Sequence, residues 1–404
     1  MPDRSTVLVL HSGHSNDLVY TEGLRAGLAP LGCHVTGIPV TDQGLRDRAI
    51  RDLMQNPGKY LCVISILFYG LQLKIDDVPL HRRTSVPFVL WLFDHPALFF
   101  NSSSSFIPSD PHDIVLAALD RSQIHYWHRF ISADTPAVEL NFGIGRHPEL
   151  PRHVCDIESF RAREPIALLP TNIHHLGTSL DQIGDKLRRF SPRLAGIAFD
   201  AVDLGLRDLN VTALDVIEHV AASHGAELET EAVTIMTMLI DGYFKLWRRS
   251  FVLEQLLDLP VRFLGSGMPE LHRPGRRHRF AETKSPEIFN DYRASQVVIN
   301  IGPAFPHYLH ERVLQGTDSG AAILSDEKPG LRDVFDKSAV AGYTLADGDV
   351  AERLTRLLDD PDAAYAGVVA AQRRMDEIDI HAVNGRRLFE KLSELRASGW
   401  RLAG

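Results

Sequence analysis

Residues 310–326, HERVLQGTDSGAAILSD, read as an amphipathic helix, a stop at Gly320 and a short apolar strand. A plain packing element would carry Ala, Leu or Val at several positions where this one has Arg312, Gln315, Thr317, Asp318 and Ser319. At helical spacing Arg312, Gln315 and Ser319 fall along one side, while Val313 and Leu314 point elsewhere. The preceding run VVINIG ends a buried strand at Asn300 and Gly302. The loop through Pro303, Pro306 and His307 then leads into a helix, YLHERVLQGTDSG, that carries His310, Glu311, Arg312 and Gln315. A helix N-terminus with an arginine beside it can hold a diphosphate through amide donors, the dipole and bidentate charge. Such a site needs no metal of its own.

Three other segments put polar or glycine residues where a strand ends. HSGHSND follows TVLVL, so Gly13 allows close backbone approach and His11, His14 and Asn16 are hydrogen-bonding candidates. The run is not GxGxxG, and the plain alternative is a turn with an N-cap by Ser15 or Asn16. In WLFDHP, Asp94 and His95 follow an apolar strand and are candidates for a general base toward a hydroxyl, unless Asp94 merely caps HPALF. In VRFLGSG, Gly265 and Gly267 flank Ser266 in a shape that lets backbone approach a phosphate or base, or that simply turns. The nearby HRPGRRHRF holds Arg273, Arg276, Arg277 and Arg279, a solvated run of which one or two can face a phosphate.

The elements that must position these residues follow an alternating pattern. TVLVL, HVTGIPV, YLCVISIL and VPFVLWLF are apolar strands separated by helical runs such as QGLRDRAIRDLMQNP. Continuous apolar strands alternating with helices predict a parallel sheet covered on both faces. The proline-bounded polar stretch 150–165 marks a boundary, and IALLPTN starts a new strand. Over 179–258 only helical spacing appears, and the αβ rhythm returns at VRFLGSG. The expected fold is α/β, with two Rossmann-like domains facing a cleft and a helical insertion in the second. The expected domains are residues 1–157 and 158–380, with a final helix at 381–404 packing back on the first domain.

Composition narrows the function. The chain has 404 residues, 44% hydrophobic and 24% charged, as in soluble globular proteins. Its net charge of -9 argues against a general nucleic-acid coat. The cysteines, Cys33, Cys62 and Cys155, have no metal-ligand or disulfide spacing and suit a reducing compartment. No apolar run is long enough to span a bilayer, so no integral membrane segment is expected and the predicted location is cytoplasmic.

Taken in order, FNDYRASQVVINI and HERVLQGTDSGAAILSDEKPGLRDVF resemble the C-terminal donor-binding segment of GT-B glycosyltransferases. The similarity is to the CgeB-like (spore-maturation-protein) branch, related to retaining family four. RRSFVLEQLLDLPVRFLGSG, VPFVLWLFDHP and HAVNGRRLFEKL resemble further segments of that branch. The resemblance implies a metal-independent glycosyltransferase with no cofactor beyond its co-substrate, a UDP- or GDP-linked sugar. It implies donor contacts at Gly265, Gly267, Asn300, Gly302, His310, Arg312 and Gln315. It places a glycan, protein or small-molecule acceptor near Gly13, His14 and Asn16, and catalysis at Asp94 and His95. The family commonly has glutamate where this chain has Gln315, and the earlier acidic position of its E-x7-E pattern falls on His307. Loss of both carboxylates leaves open a GT-B-shaped binding or scaffold protein without turnover, and a sugar-nucleotide epimerase, which can share the same two-domain architecture, is a further alternative.

Overall fold

A computed structural model describes residues 5–99, 110, 113–140, 152–154, 156–172, 179–208, 210–265, 279–281, 288–380 and 382–400. The chain divides into two compact units, Met1–Leu150 with Glu377–Gly404, and Pro151–Asp376. In chain order the first comprises β1 (Thr6–His11), α1 (Ser15–Leu28), β2 (His34–Pro39), α2 (Gln43–Gln55), β3 (Tyr60–Ile66), β4 (Lys74–Ile75), β5 (Val78–Pro79), α3 (Leu80–Arg83), β6 (Phe88–Leu92), β7 (Val115–Ala118), α4 (Arg121–Phe130) and β8 (Ala137–Glu139). The second comprises α5 (Ile157–Arg161), β9 (Glu164–Pro170), α6 (Leu180–Arg188), α7 (Pro192–Arg207), α8 (Ala213–Ser223), α9 (Thr230–Leu256), β10 (Val261–Leu264), β11 (Arg279–Ala281), α10 (Ile288–Ala294), β12 (Ser295–Asn300), α11 (Glu311–Asp318), β13 (Ala322–Asp326), α12 (Pro329–Arg332), β14 (Ala341–Tyr343), α13 (Val350–Asp359) and α14 (Pro361–Glu377). The last helix, α15 (Val383–Ala397), returns to the first unit.

Each unit is built on a six-stranded parallel sheet, so the α/β fold with two Rossmann-like domains is present. The strands are buried on both faces because helices cover both, which is why β1, β3, β6 and β7 carry no polar alternation. In the first unit the order is β2-β1-β3-β6-β7-β8, and the direction of winding reverses between β1 and β3. In the second unit it is β11-β10-β9-β12-β13-β14, and the reversal lies between β9 and β12. Loops leave a parallel sheet in opposite directions at such a point, opening a crevice at the carboxyl ends of the strands.

In the first unit α15 lies on α1, and Leu388 and Leu392 join Val7, Val9, Leu24 and Leu28 in one core. The two helices cross closely enough that a Cβ on Gly27 would stand 2.8 Å from Gly385 Cα and 2.7 Å from the Ala382 carbonyl oxygen. Only glycine fits there.

In the second unit α6 to α9 form a helical block between β9 and β10, with Ile183, Ile197, Ala201, Ile217, Ile240 and Phe244 in its own core. Its helices start on side-chain caps: Ser179 and Thr212 make reciprocal capping boxes with Gln182 and Asp215, and Ser191 caps α7. At 27 residues α9 is about 40 Å long. Its second half leaves the block, and Val252, Leu253 and Leu256 enter the core under the sheet with Phe263 and Tyr343. That path carries Arg248 and Arg249 to the carboxyl ends of the strands.

Two local differences from the sequence pattern bear on the site. The helix expected over YLHERVLQGTDSG begins only at Glu311, because His310 is extended (φ -62°, ψ 136°) and serves as the N-cap. The stretch GLRDVFD, which has helical spacing, forms only a single turn, Pro329–Arg332.

Candidate functional site

The crevice of the second unit is set by glycine where β10 meets β9. Gly265 has φ +147°, and a Cβ on it would stand 2.0 Å from the Thr171 carbonyl oxygen, so the backbone alone can turn there. Gly267 and Ser266 lie outside the described residues, as do Arg273, Arg276, Arg277 and the side chain of Arg279. Arg249 Nη1 donates to the carbonyl of Asn172 at 2.7 Å, fixing the segment that leaves β9.

At the end of β12 a chain of hydrogen bonds crosses the strands. Asn300, 2% exposed, donates through Nδ2 to Ser325 Oγ at 2.9 Å and accepts at Oδ1 from Arg312 Nη1 at 3.0 Å. The guanidinium can only donate, so the orientation of the amide is fixed by its partners. The Asn300 carbonyl in turn accepts from the Tyr343 hydroxyl at 2.9 Å. The Arg312 side chain is half-buried, and among the described residues no carboxylate lies within ion-pair distance of it. A neutral amide thus aims the guanidinium without ion-pairing it, and the nearest carboxylate acting on its charge is that of Glu311, the residue before it.

The start of α11 departs from the expected anion cradle. His310 Nδ1 accepts from the Arg312 amide at 3.2 Å, and the Val313 amide donates to the His310 carbonyl. These two amides are therefore spent within the cap, and what α11 offers an anion is the Arg312 side chain. Burial pushes the His310 imidazole down to about 4, so the ring is neutral near pH 7 and fit to accept that hydrogen bond. Gln315 is half-buried, and among the described residues its side chain has no hydrogen bond.

The other polar residues of the stretch are structural, which corrects the single polar face expected for it. Thr317 Oγ1 donates to the Val313 carbonyl at 2.8 Å, and Asp318 pairs with Arg152 at 2.8 Å. Ser319 is the C-cap of α11 and is buried, and Arg163 Nη1 donates to the neighbouring Gly320 carbonyl at 2.7 Å. Arginines from the start of the unit hold this helix end in place.

Three charged residues absent from the sequence candidates complete the site. Asp326 Oδ1 accepts from the Gly302 amide at 2.9 Å, and Lys328 Nζ lies 3.4 Å from Asp326 Oδ2. Lys328 Nζ also donates to the Pro303 carbonyl, to which Arg248 Nη1 donates at 3.4 Å. Asp326, Lys328 and Arg248 are 4%, 6% and 1% exposed. Burial alone would raise the Asp326 carboxyl, but Lys328 and Arg248 outweigh it and hold it below the usual carboxylate range. A Cβ on Gly302 would stand 2.8 Å from Lys328 Nζ and 3.2 Å from Asp326 Oδ1, so a side chain there would displace that pair. The signal in the sequence was the charge pair of SDEK directly at a strand end, together with RRSF in the helix before β10.

In the first unit the HSGHSND loop is a compact turn. Gly13, at φ +92°, and His14 are exposed, and Asp17 Oδ2 accepts from the Ser12 amide and hydroxyl at 2.9 and 2.6 Å. Since α1 begins at Ser15, His14 occupies the N-cap position rather than Ser15 or Asn16. The Asn16 side chain is outside the described residues. After β6, Asp94 is exposed and its carbonyl accepts from Gln123 Nε2 at 2.9 Å. His95 is 3% exposed, its ring edge-on to Tyr126 and its Nδ1 accepting from the Ala97 amide at 3.2 Å. Of the pair, Asp94 is exposed and His95 packs the turn beneath it.

Residues 248–383, about a third of the chain, match a family model described as "Glycosyl transferase-like". The matched segment contains Asn300, Gly302, Arg312, Asp326 and Lys328, and it starts at Arg248. No curated protein matches the sequence. Among solved structures the chain is similar to the sucrose-phosphate synthase (tll1590) of Thermosynechococcus elongatus. That similarity has 11% identity and a TM-score of 0.50, over 98% of this chain and 100% of that one. It is also similar to Anabaena Alr3699/HepE in complex with UDP-glucose, with 12% identity and a TM-score of 0.47 over 96% and 100% of the chains. AviGT4, a glycosyltransferase involved in avilamycin A biosynthesis, gives 13% identity and a TM-score of 0.45 over 97% and 98%. No described helix is long and apolar enough to cross a membrane.

Proposed function

We propose that the chain is a glycosyltransferase of the CgeB-like branch that moves a sugar from a nucleotide-sugar donor to an acceptor hydroxyl. The observation that carries this reading is Arg312, a guanidinium aimed by the Asn300 amide at the switch point of the second sheet and paired with no carboxylate among the described residues. Supporting it, residues 248–383 match a glycosyltransferase-like model. In the reaction the bond between the sugar's anomeric carbon and the diphosphate oxygen breaks. The same carbon bonds the acceptor oxygen, and the acceptor hydroxyl loses its proton. Negative charge grows on the leaving diphosphate, and a fixed cation there stabilises the transition state more than the ground state.

In this reading the diphosphate of a UDP- or GDP-linked donor meets Arg312 and the backbone beyond Asn300, and Gly265 gives the nucleoside close access to the ends of β9 and β10. Positive charge comes from the protein, without a metal. The acceptor, whether glycan, protein or small molecule, is received by the first unit around Gly13 and His14. Asp94 takes the hydroxyl proton if the configuration inverts; if it is retained, Asp94 stabilises the departing sugar and the proton passes to the leaving diphosphate oxygen. The reaction is placed in the cytoplasm.

Thermal unfolding with UDP, GDP, CMP and dTDP and their sugars tests this reading. A ligand at a hundred times its dissociation constant stabilises by about 2.7 kcal/mol, so one nucleotide series should raise Tm and the rest should not. A flat response across the series refutes the reading. Gln315 and His307, in place of two glutamates, favour a second reading, in which the chain binds a nucleotide sugar without turning it over. Release of free nucleotide from a bound sugar nucleotide, with sugar appearing on an acceptor, separates the two.

A further inference from the structure

A cavity of about 220 Å³ opens in the second unit beside the candidate donor site. It is lined by Asp326 and Lys328 at the end of β13, by Thr344 to Asp347 after β14, by the end of α7 through Asn210, and by Arg248 of α9. We infer that this cavity receives the glycosyl group of the donor, with Asp326 as the carboxylate that accepts hydrogen bonds from its hydroxyls. The inference rests on the nucleotide-sugar reading above and adds where the sugar lies and which residue recognises it.

Size sets the class of occupant. Pockets that take whole drug-sized ligands start at about 300 Å³, so this one suits a single monosaccharide ring and not an entire nucleotide sugar. Polarity sets the chemistry. The lining has three cationic side chains against four carboxylates, with Asn210 and Thr344 beside them. A phosphate needs an excess of positive charge, whereas a neutral polyol needs donors and acceptors in alternation. Lys328 is further withdrawn from any anion, because its Nζ already serves the Pro303 carbonyl and stands 3.4 Å from Asp326.

Asp326 supplies the independent observation. The residue is 4% exposed, its Oδ1 is held by the Gly302 amide, and its Oδ2 is ion-paired with Lys328 Nζ at 3.4 Å, longer than a well-formed hydrogen bond. A carboxylate oxygen with a single long contact keeps acceptor capacity that a sugar hydroxyl can use. The position also answers the missing glutamates. His307 and Gln315 bring no carboxylate to the site, and Asp326 brings one from the adjacent strand end, where its Oδ1 meets the Gly302 amide. A donor whose diphosphate lies at Arg312 would extend its sugar across Gly302 into the cavity. Gly302 keeps that path open, since a Cβ there would meet both Lys328 and Asp326.

Calorimetric titration of the full chain tests the inference with UDP and GDP against UDP-glucose, UDP-galactose, UDP-N-acetylglucosamine and GDP-mannose. In the native protein one sugar nucleotide should bind more tightly than its bare nucleotide. Asp326→Asn, which keeps the shape and removes the charge, should cut that advantage, the ratio of sugar-nucleotide to bare-nucleotide affinity, roughly tenfold, whichever way the bare-nucleotide affinity itself moves. Ala346→Trp, at the exposed mouth of the cavity, should abolish the advantage by filling the space without touching a buried charge, and it carries the test if Asp326→Asn fails to fold. An unchanged advantage in both variants overturns the inference, as does a native protein that binds bare nucleotide and sugar nucleotide equally well. If the native protein binds no nucleotide at all, the donor reading fails first and the inference falls with it.

Discussion

Arg312 Nη1 donates to Asn300 Oδ1 at 3.0 Å, and the Asn300 amide donates onward to Ser325 Oγ at 2.9 Å. The guanidinium is oriented through a buried neutral side chain at the end of one strand, itself anchored on the next. An aspartate at the same place would hold Arg312 as firmly and neutralise it. The two roles of Asn300, aiming the charge and sparing it, are therefore separable by substitution.

Arg312→Ala should weaken nucleoside diphosphate binding by roughly 10- to 100-fold, the range for loss of hydrogen bonds to a charged group. Asn300→Asp should weaken it in the same direction, because the new carboxylate competes with the diphosphate for the guanidinium. Calorimetric Kd values for both variants check this. Unchanged affinity in Asn300→Asp would mean that the charge of Arg312 plays no part in binding.

His310 predicts a pH dependence. Its folded value is about 4, against an ordinary 6.5, so between those two values the unfolded chain binds more protons. Stability then rises with pH across that window: the contribution is complete above 6.5 and is lost as pH falls toward 4. Between pH 7 and pH 5 the loss should be about 2 kcal/mol. His310→Asn keeps a capping acceptor without a titrating ring. Urea midpoints should therefore fall more in the native protein than in the variant, and equal falls would contradict the account.

Gly265→Ala should destabilise the second unit. It forces a Cβ toward the Thr171 carbonyl at a φ of +147°, and strain of this kind costs about 1–3 kcal/mol. Nucleotide affinity should drop with it, since the ends of β9 and β10 move apart. A variant with native Tm and native affinity would show that the turn relaxes without consequence.

Gly27→Val should act on the first unit alone. Its side chain would drive α15 off α1 at Gly385, and overpacking typically costs about 1–3 kcal/mol. Hydrogen exchange should quicken in β1 and α15 while the second sheet keeps its protection. Equal loss in both units would show that they unfold as one.

Much of this architecture is written in local pattern. Runs such as YLCVISIL and VVINIG announce buried parallel strands, and the change to helical spacing after 179 announces the helical block. β7 and β14 were not visible. VLAA is half alanine, which has little strand preference, and AGY is three residues long, with its identity fixed only by pairing to Leu324–Asp326. The site divides in the same way. Arg312 and Asn300 stood out because each sits at an element end. Asp318 looked like their companion, yet its partner Arg152 lies 166 positions away, beyond the reach of spacing arguments. The Arg248, Asp326 and Lys328 cluster was hidden for the same reason, since α9 and β13 meet only in the folded chain.

The central claim, a nucleotide-sugar donor site built around Arg312, is tested most directly by incubating the native protein and Arg312→Ala with the sugar nucleotide that most raises Tm and measuring release of its nucleotide. The account predicts steady release by the native protein, stimulated by an acceptor, and a fall of roughly 10-fold or more in Arg312→Ala. Release at equal rates from both proteins would contradict it.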